Sequence, residues 1–181
     1  MVDPVDLETV EQRRQRARNE ALGLEMLSQM ETQSREILDA AAALERGDDR
    51  VQTFASYRTF RERLSEFETF CNVIENQLSR MAADRQGELA DLFRKRRAKV
   101  FRPAISALNA FFGRMADGGM ALPFGLSDVL NSELRAIDDI REIVSQPGAL
   151  DEADTSILSE IDKLETVVKS LTPRAIGFAE F

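Results

Sequence analysis

Histidine and tryptophan are absent from the 181 residues, and there is one cysteine, one tyrosine and only five prolines. Without an imidazole there is no Ser-His-Asp or Cys-His catalytic unit, no Glu-x-x-His di-iron bundle, no His-ligated zinc or haem, and no histidine phosphotransfer. The lone Cys71 excludes a disulfide within the chain and any iron–sulfur or thiolate-zinc site built by one copy. Its place on an apolar seam reads as a small core residue and suits a reducing compartment. Neither G-x-x-x-x-G-K-[ST] nor G-x-G-x-x-G occurs, and the glycines other than Gly23 are expected at or near the ends of helical stretches, so no phosphate-cradling loop is expected. No apolar run reaches the roughly 18 residues of a membrane span, and the acidic opening, Met1 to Glu11, has no apolar h-region. The expectation is a cytoplasmic protein. Lysine is scarce as well: 20 arginines against 4 lysines hint at a GC-rich, bacterial genome.

What is present is helical. Ala, Leu, Glu, Gln and Arg dominate, residues that lose little rotamer freedom in a helix, and β-branched residues are few. An apolar fraction of 43% with 31% charged residues matches a folded helical protein and not a disordered chain. The organising stretch runs from Phe60 to Met81. Phe60, Leu64, Phe67, Cys71, Ile74, Leu78 and Met81 alternate steps of four and three, the a/d seam of a heptad, which must be buried against other helices. Phe54, Phe70 and Val73 widen it. The fold class is all-α: an antiparallel bundle of four to five helices, with coiled-coil-like heptad packing and a long N-terminal helix.

Helices are expected at about 6–46, 49–83, 87–116, 128–145 and 152–171, forming one domain over 1–172, with an apolar tail at 173–181. The first helix, about 40 residues and roughly 60 Å long, carries two a/d series. Leu7, Val10, Ala17, Ala21 and Leu24 form one; Leu27, Met30, Ile37, Ala41 and Leu44 form another, displaced by three residues. Such a displacement overwinds a coiled coil or hands the helix from one neighbour to the next. The first turns, with Arg13, Arg14, Arg16 and Arg18, are therefore expected to project or to pack on another chain. Gly47 with Asp48 and Asp49 makes the first break, and Arg85-Gln86-Gly87 a weaker one. Pro103 is expected to kink or restart the third helix, Ser127 to cap the fourth, and Pro173 to end the fifth. In the fourth helix Leu130, Leu134, Ile137, Ile140 and Val144 are expected inward.

The net charge of −8 is uneven: residues 1–116 carry 19 acids and 19 bases, whereas residues 117–181 carry 13 acids and 5 bases. Three features are candidates for interaction. The first is the basic run Arg94-Lys95-Arg96-Arg97-Ala98-Lys99-Val100-Phe101-Arg102, within which Arg94, Lys95, Arg97, Lys99 and Arg102 are the candidate contacts. On a helix these bases point to several sides and make no single stripe for a phosphate backbone. The second is the linker with Met120, Leu122 and Phe124. The third is the tail with Ile176, Phe178 and Phe181, suited to fold back or to enter a partner's groove. Asp138, Asp139 and Glu142 make a D-D-x-x-E on the fourth helix, a spacing that can hold Mg²⁺. They are expected to face water, with Arg135 and Arg141 in reach.

No residue is assigned a catalytic, metal or cofactor role. The chain reads as a non-enzymatic interaction protein (adaptor, scaffold or regulator) with a protein partner and a dimeric assembly. The alternative is an anion-binding module for nucleic acid or an acidic membrane surface, through Arg94–Arg102. A third reading is a Mg²⁺-dependent hydrolase built on the helix carboxylates.

Overall fold

The computed structural model describes residues 9–47, 50–81, 83–118, 125–146 and 156–177. They form five helices: α1 (Val10–Arg46), α2 (Arg50–Leu78), α3 (Ala83–Ala116), α4 (Leu126–Val144) and α5 (Ser156–Gly177). The expected helical bundle is present, and there is no strand among the described residues.

Helix α1 starts in a capping box. Thr9 Oγ1 accepts from the Gln12 backbone at 3.2 Å, and Gln12 Oε1 accepts from the Thr9 backbone at 2.7 Å. It ends at Gly47, whose φ of 60° lies in the left-handed region that glycine adopts at low cost. Of its two a/d series the second is buried, Leu27, Met30, Ile37, Ala41 and Leu44, whereas Val10, Ala17, Ala21 and Leu24 of the first are exposed and Leu7 lies outside the described residues. Every residue from Val10 to Arg18 is exposed. Burial begins at Gly23, where a Cβ would stand 2.5 Å from Met81 Cε. Gly23 is the first buried residue of α1, and none of the described residues before it is buried.

The seam of α2 is buried from Phe60 through Leu78, but the helix stops at Leu78 and not near residue 83. Arg80 N donates to Gln77 O and Met81 N to Leu78 O, tight turns that close the helix, while Ser79 Oγ competes for the Asn76 carbonyl at 2.8 Å. Met81 thus belongs to the turn. Helix α3 then begins at Ala83 and runs straight through Gly87, so the break expected at residues 85–87 lies earlier.

Pro173 does not end its helix, and Pro103 does not restart one. Pro103 sits within α3 and Pro173 within α5, and each helix continues past its proline, α5 to Gly177. A proline denies a donor to the carbonyl four residues back. Those carbonyls belong to Lys99 and Lys169, both exposed residues, where water is the natural replacement for the lost donor. Helix α4 is capped by Gly125 at φ 79°, without a side-chain cap, and not by Ser127. Met120, Leu122, Phe124, Phe178 and Phe181 lie outside the described residues; Ile176 falls in the last turn of α5.

Helix α3 is central, packed on α1, α2 and α5, and α4 completes the bundle against α5. Arginines set the register of α3 on α1. Arg96 Nη1 donates to Leu27 O at 2.6 Å, and Arg114 Nη1 to Glu45 O at 2.9 Å, both offset by 69 positions, so the helices run parallel. Arg114 Nη2 also donates to Leu44 O at 2.6 Å, supplying a donor to the C-terminal carbonyls of α1. Between α3 and α5, Arg102 donates to Ser156 Oγ and Asn109 to Glu160 O, again in parallel. Each helix therefore reverses its predecessor, and α2 and α4 run side by side over α3. An aromatic cluster locks one end: Tyr57 stacks on Phe111 at 4.6 Å, and Phe112 meets Phe111 edge-on at 5.0 Å.

Two substitutions measure these joints in urea unfolding. Gly47→Ala is expected to lose about 1 kcal/mol, from left-handed strain and from a Cβ placed 2.8 Å from Arg114 Cζ. Phe111→Ala is expected to lose about 3–5 kcal/mol by leaving a cavity.

Candidate functional site

The groove between α2 and α4 is where charged side chains are held most tightly. At one end Glu133 of α4 is 1% exposed. Its Oε1 accepts from Tyr57 Oη at 2.5 Å and faces Arg61 Nε at 2.7 Å. Glu133 Oε2 and Arg61 Nη1 are buried without a partner, beside a cleft of about 330 Å³ that Arg58, Glu62, Val129 and Ser132 also line. Burial, opposed by Arg61 and Tyr57, holds the Glu133 carboxyl above its usual range. Burial first, then the charge of Glu133, pushes the Tyr57 phenol up.

Farther along, a second cleft of about 400 Å³ opens between Glu68, Asn72 and Glu75 of α2 and Asp139, Glu142 and Gln146 of α4. Arg97 of α3 lies at its floor, 5% exposed. Its Nη1 is 3.6 Å from Glu75 Oε2, its guanidinium carbon is 5.7 Å from the Phe93 ring centroid, and its Nε has no partner. Glu68 Oε1 is buried without a partner too, and burial raises the Glu68 carboxyl. Cys71 is buried behind this strip, and burial pushes its thiol up to about 12, consistent with a core residue and not a reactive thiolate.

The basic run does not act as one face. Arg94 pairs with Asp91, Arg96 reaches Glu31 at 3.5 Å besides its bond to Leu27 O, Arg97 points into the groove, and Arg102 bonds Ser156. Lys95 and Lys99 are exposed. Of the D-D-x-x-E, all three acids are exposed. Arg141 bonds Asp138 at 3.1 Å but also crosses to α5, meeting Asp162 at 3.0 Å and Glu165 at 2.5 Å. Lys169 and then Arg141 hold the Glu165 carboxyl below its usual range. Among the described residues no group of three or more His, Cys, Asp or Glu side chains is arranged to hold a metal ion.

Sequence reading assigned none of Tyr57, Arg61, Glu68 or Glu133 to a site. The signal was present. In α4 the buried series is Leu130, Glu133, Ile137, Ile140 and Val144, so Glu133, not Leu134, takes the seam position. In α3 the gap between Phe93 and Val100 is filled by Arg97. A charged residue on an otherwise apolar seam marks the groove. Comparison with family models, curated proteins and solved structures finds no match to this chain.

Leaving Arg61 and Tyr57 without their acceptor makes Glu133→Leu expensive, with an expected loss of about 3–5 kcal/mol in urea unfolding. The triple variant Tyr57→Phe, Arg61→Met, Glu133→Leu is expected to recover most of it, because an apolar substitute for a buried ion pair is often neutral. The pH dependence has a definite sign. Above the ordinary carboxylate value of 4.5, the unfolded chain releases protons that folded Glu133 and Glu68 still hold. The folded state then binds more protons, so these groups make stability fall as pH rises through their folded pKa values. Glu133→Gln is expected to flatten that fall in urea midpoints taken at successive pH values.

Proposed function

We propose that this chain is a non-enzymatic interaction protein that binds another helix with the first turns of α1. The observation that carries the reading is that helical residues Val10–Arg18 are exposed throughout, although they continue an apolar a/d series. Val10 is 64% and Leu24 52% exposed. A series at that spacing buries itself on a neighbouring helix, and no described element of this chain covers it. Arg14 interrupts the series on the same face. A parallel copy would set Arg14 against its own counterpart, which disfavours that pairing and favours a helix that brings a carboxylate there. Arg94, Arg96 and Arg102 of the basic run bond within the fold, which supports protein recognition over phosphate-backbone binding.

Light scattering and affinity capture with nuclease treatment test this reading together. The full chain is expected either to exceed its 20.4 kDa monomer mass or to retain a protein partner after nuclease. Val10→Glu, Ala17→Glu and Leu24→Glu, all exposed and so within about 0.5 kcal/mol of neutral, are expected to abolish both. A strict monomer whose retained proteins are unchanged by the triple variant would overturn it.

A further inference from the structure

We infer that the cleft floored by Arg97 binds a basic α-amino acid, its carboxylate on Arg97 and its two cationic groups on Glu68, Asp139 and Glu142. Arg97 occupies a position where the α3 seam otherwise carries apolar side chains, and it is nine-tenths buried and more. A guanidinium presents five donors in a planar fork that matches the two oxygens of a carboxylate. Here the nearest protein carboxylate stands off at 3.6 Å, beyond hydrogen-bonding distance, and Nε is unanswered. Nε is itself shielded from the open volume, so an acceptor in the cleft would meet the rest of the guanidinium, which lines it.

The walls decide what carries that acceptor. Four carboxyl groups line the cleft against one guanidinium; burial raises Glu68, and the exposed Glu75, Asp139 and Glu142 still outnumber Arg97 three to one. Glu75 faces Arg97, while Glu68, Asp139 and Glu142 form no ion pair in the described structure, and Glu68 Oε1 is buried without a partner. The surplus of negative charge repels a simple anion such as phosphate. A simple cation would satisfy the walls and leave Arg97 as it is. A zwitterion answers both, and a second cationic group on its side chain matches the remaining carboxylates. Asn72 and Gln146 add amide donors and acceptors, and Ile143 is the apolar member of the lining, so the cleft suits a hydrophilic ligand. Its volume of about 400 Å³ is of the size of small-molecule sites.

Isothermal titration of the full chain with L-arginine, L-lysine, agmatine and N-acetyl-L-arginine tests the assignment. The two amino acids are expected to bind. Agmatine, which lacks the carboxylate, and N-acetyl-arginine, which lacks the α-ammonium, are each expected to bind about tenfold more weakly or worse, the scale of one lost charged hydrogen bond. Asp139→Asn with Glu142→Gln changes exposed positions and is expected to weaken L-arginine about tenfold with an unchanged circular dichroism spectrum. Agmatine binding as well as arginine would overturn the role of Arg97. Arginine affinity unchanged in the double variant, or no heat with any of the four at millimolar concentration, would overturn the site.

Discussion

Helix α3 packs on α1, α2 and α5, so the arginines that face those helices lie partly or, for Arg97, almost wholly out of water. That constraint governs the molecule. Burying a guanidinium without acceptors is costly; Arg94, Arg96, Arg102 and Arg114 each bond within the fold, whereas Arg97 is buried with no hydrogen-bond acceptor among the described residues. Arg96 and Arg114 find backbone carbonyls of α1 at a common offset, and in doing so fix how the two longest helices slide past each other. Arg102 reaches the start of α5 and Arg94 its own Asp91. A run of bases that looks like a nucleic-acid tract in one dimension is, in three, a set of separate fastenings.

The same enclosure explains which parts of the fold were legible in the residues. The Phe60–Leu78 seam and the second series of α1 are buried as their spacing requires, because heptad spacing and burial are two views of one packing geometry. Helix ends were harder. Gly87 and the two helix prolines look like breaks by local chemistry, yet the helices continue through them. Conversely, the real stop after Leu78 comes from an ordinary Ser-Arg-Met turn that no propensity flags.

The groove was legible only in hindsight of the third dimension. Reading α4 for its apolar residues selects Leu134 and passes over Glu133, although Glu133 completes the three-four alternation. Reading the basic run for its charge treats Arg97 as one of six, although it alone fills the vacant seam position. Both residues matter because α2 and α4 stand apart over α3: polar groups facing that gap are shielded from bulk water without being fully matched by protein partners. Such mismatches cost stability, and a fold retains them where they specify a packing or receive a ligand.

Tyr57 gives this arrangement an optical consequence. With no tryptophan and no second tyrosine in the chain, all near-ultraviolet emission above the weak phenylalanine background comes from one ring, stacked on Phe111 and hydrogen-bonded to a carboxylate at the α2–α4 junction. A phenol bonded to a carboxylate emits poorly, and it brightens when that bond breaks. The intrinsic fluorescence of the whole molecule is therefore a local signal, reporting whether the two helices over α3 are joined or parted.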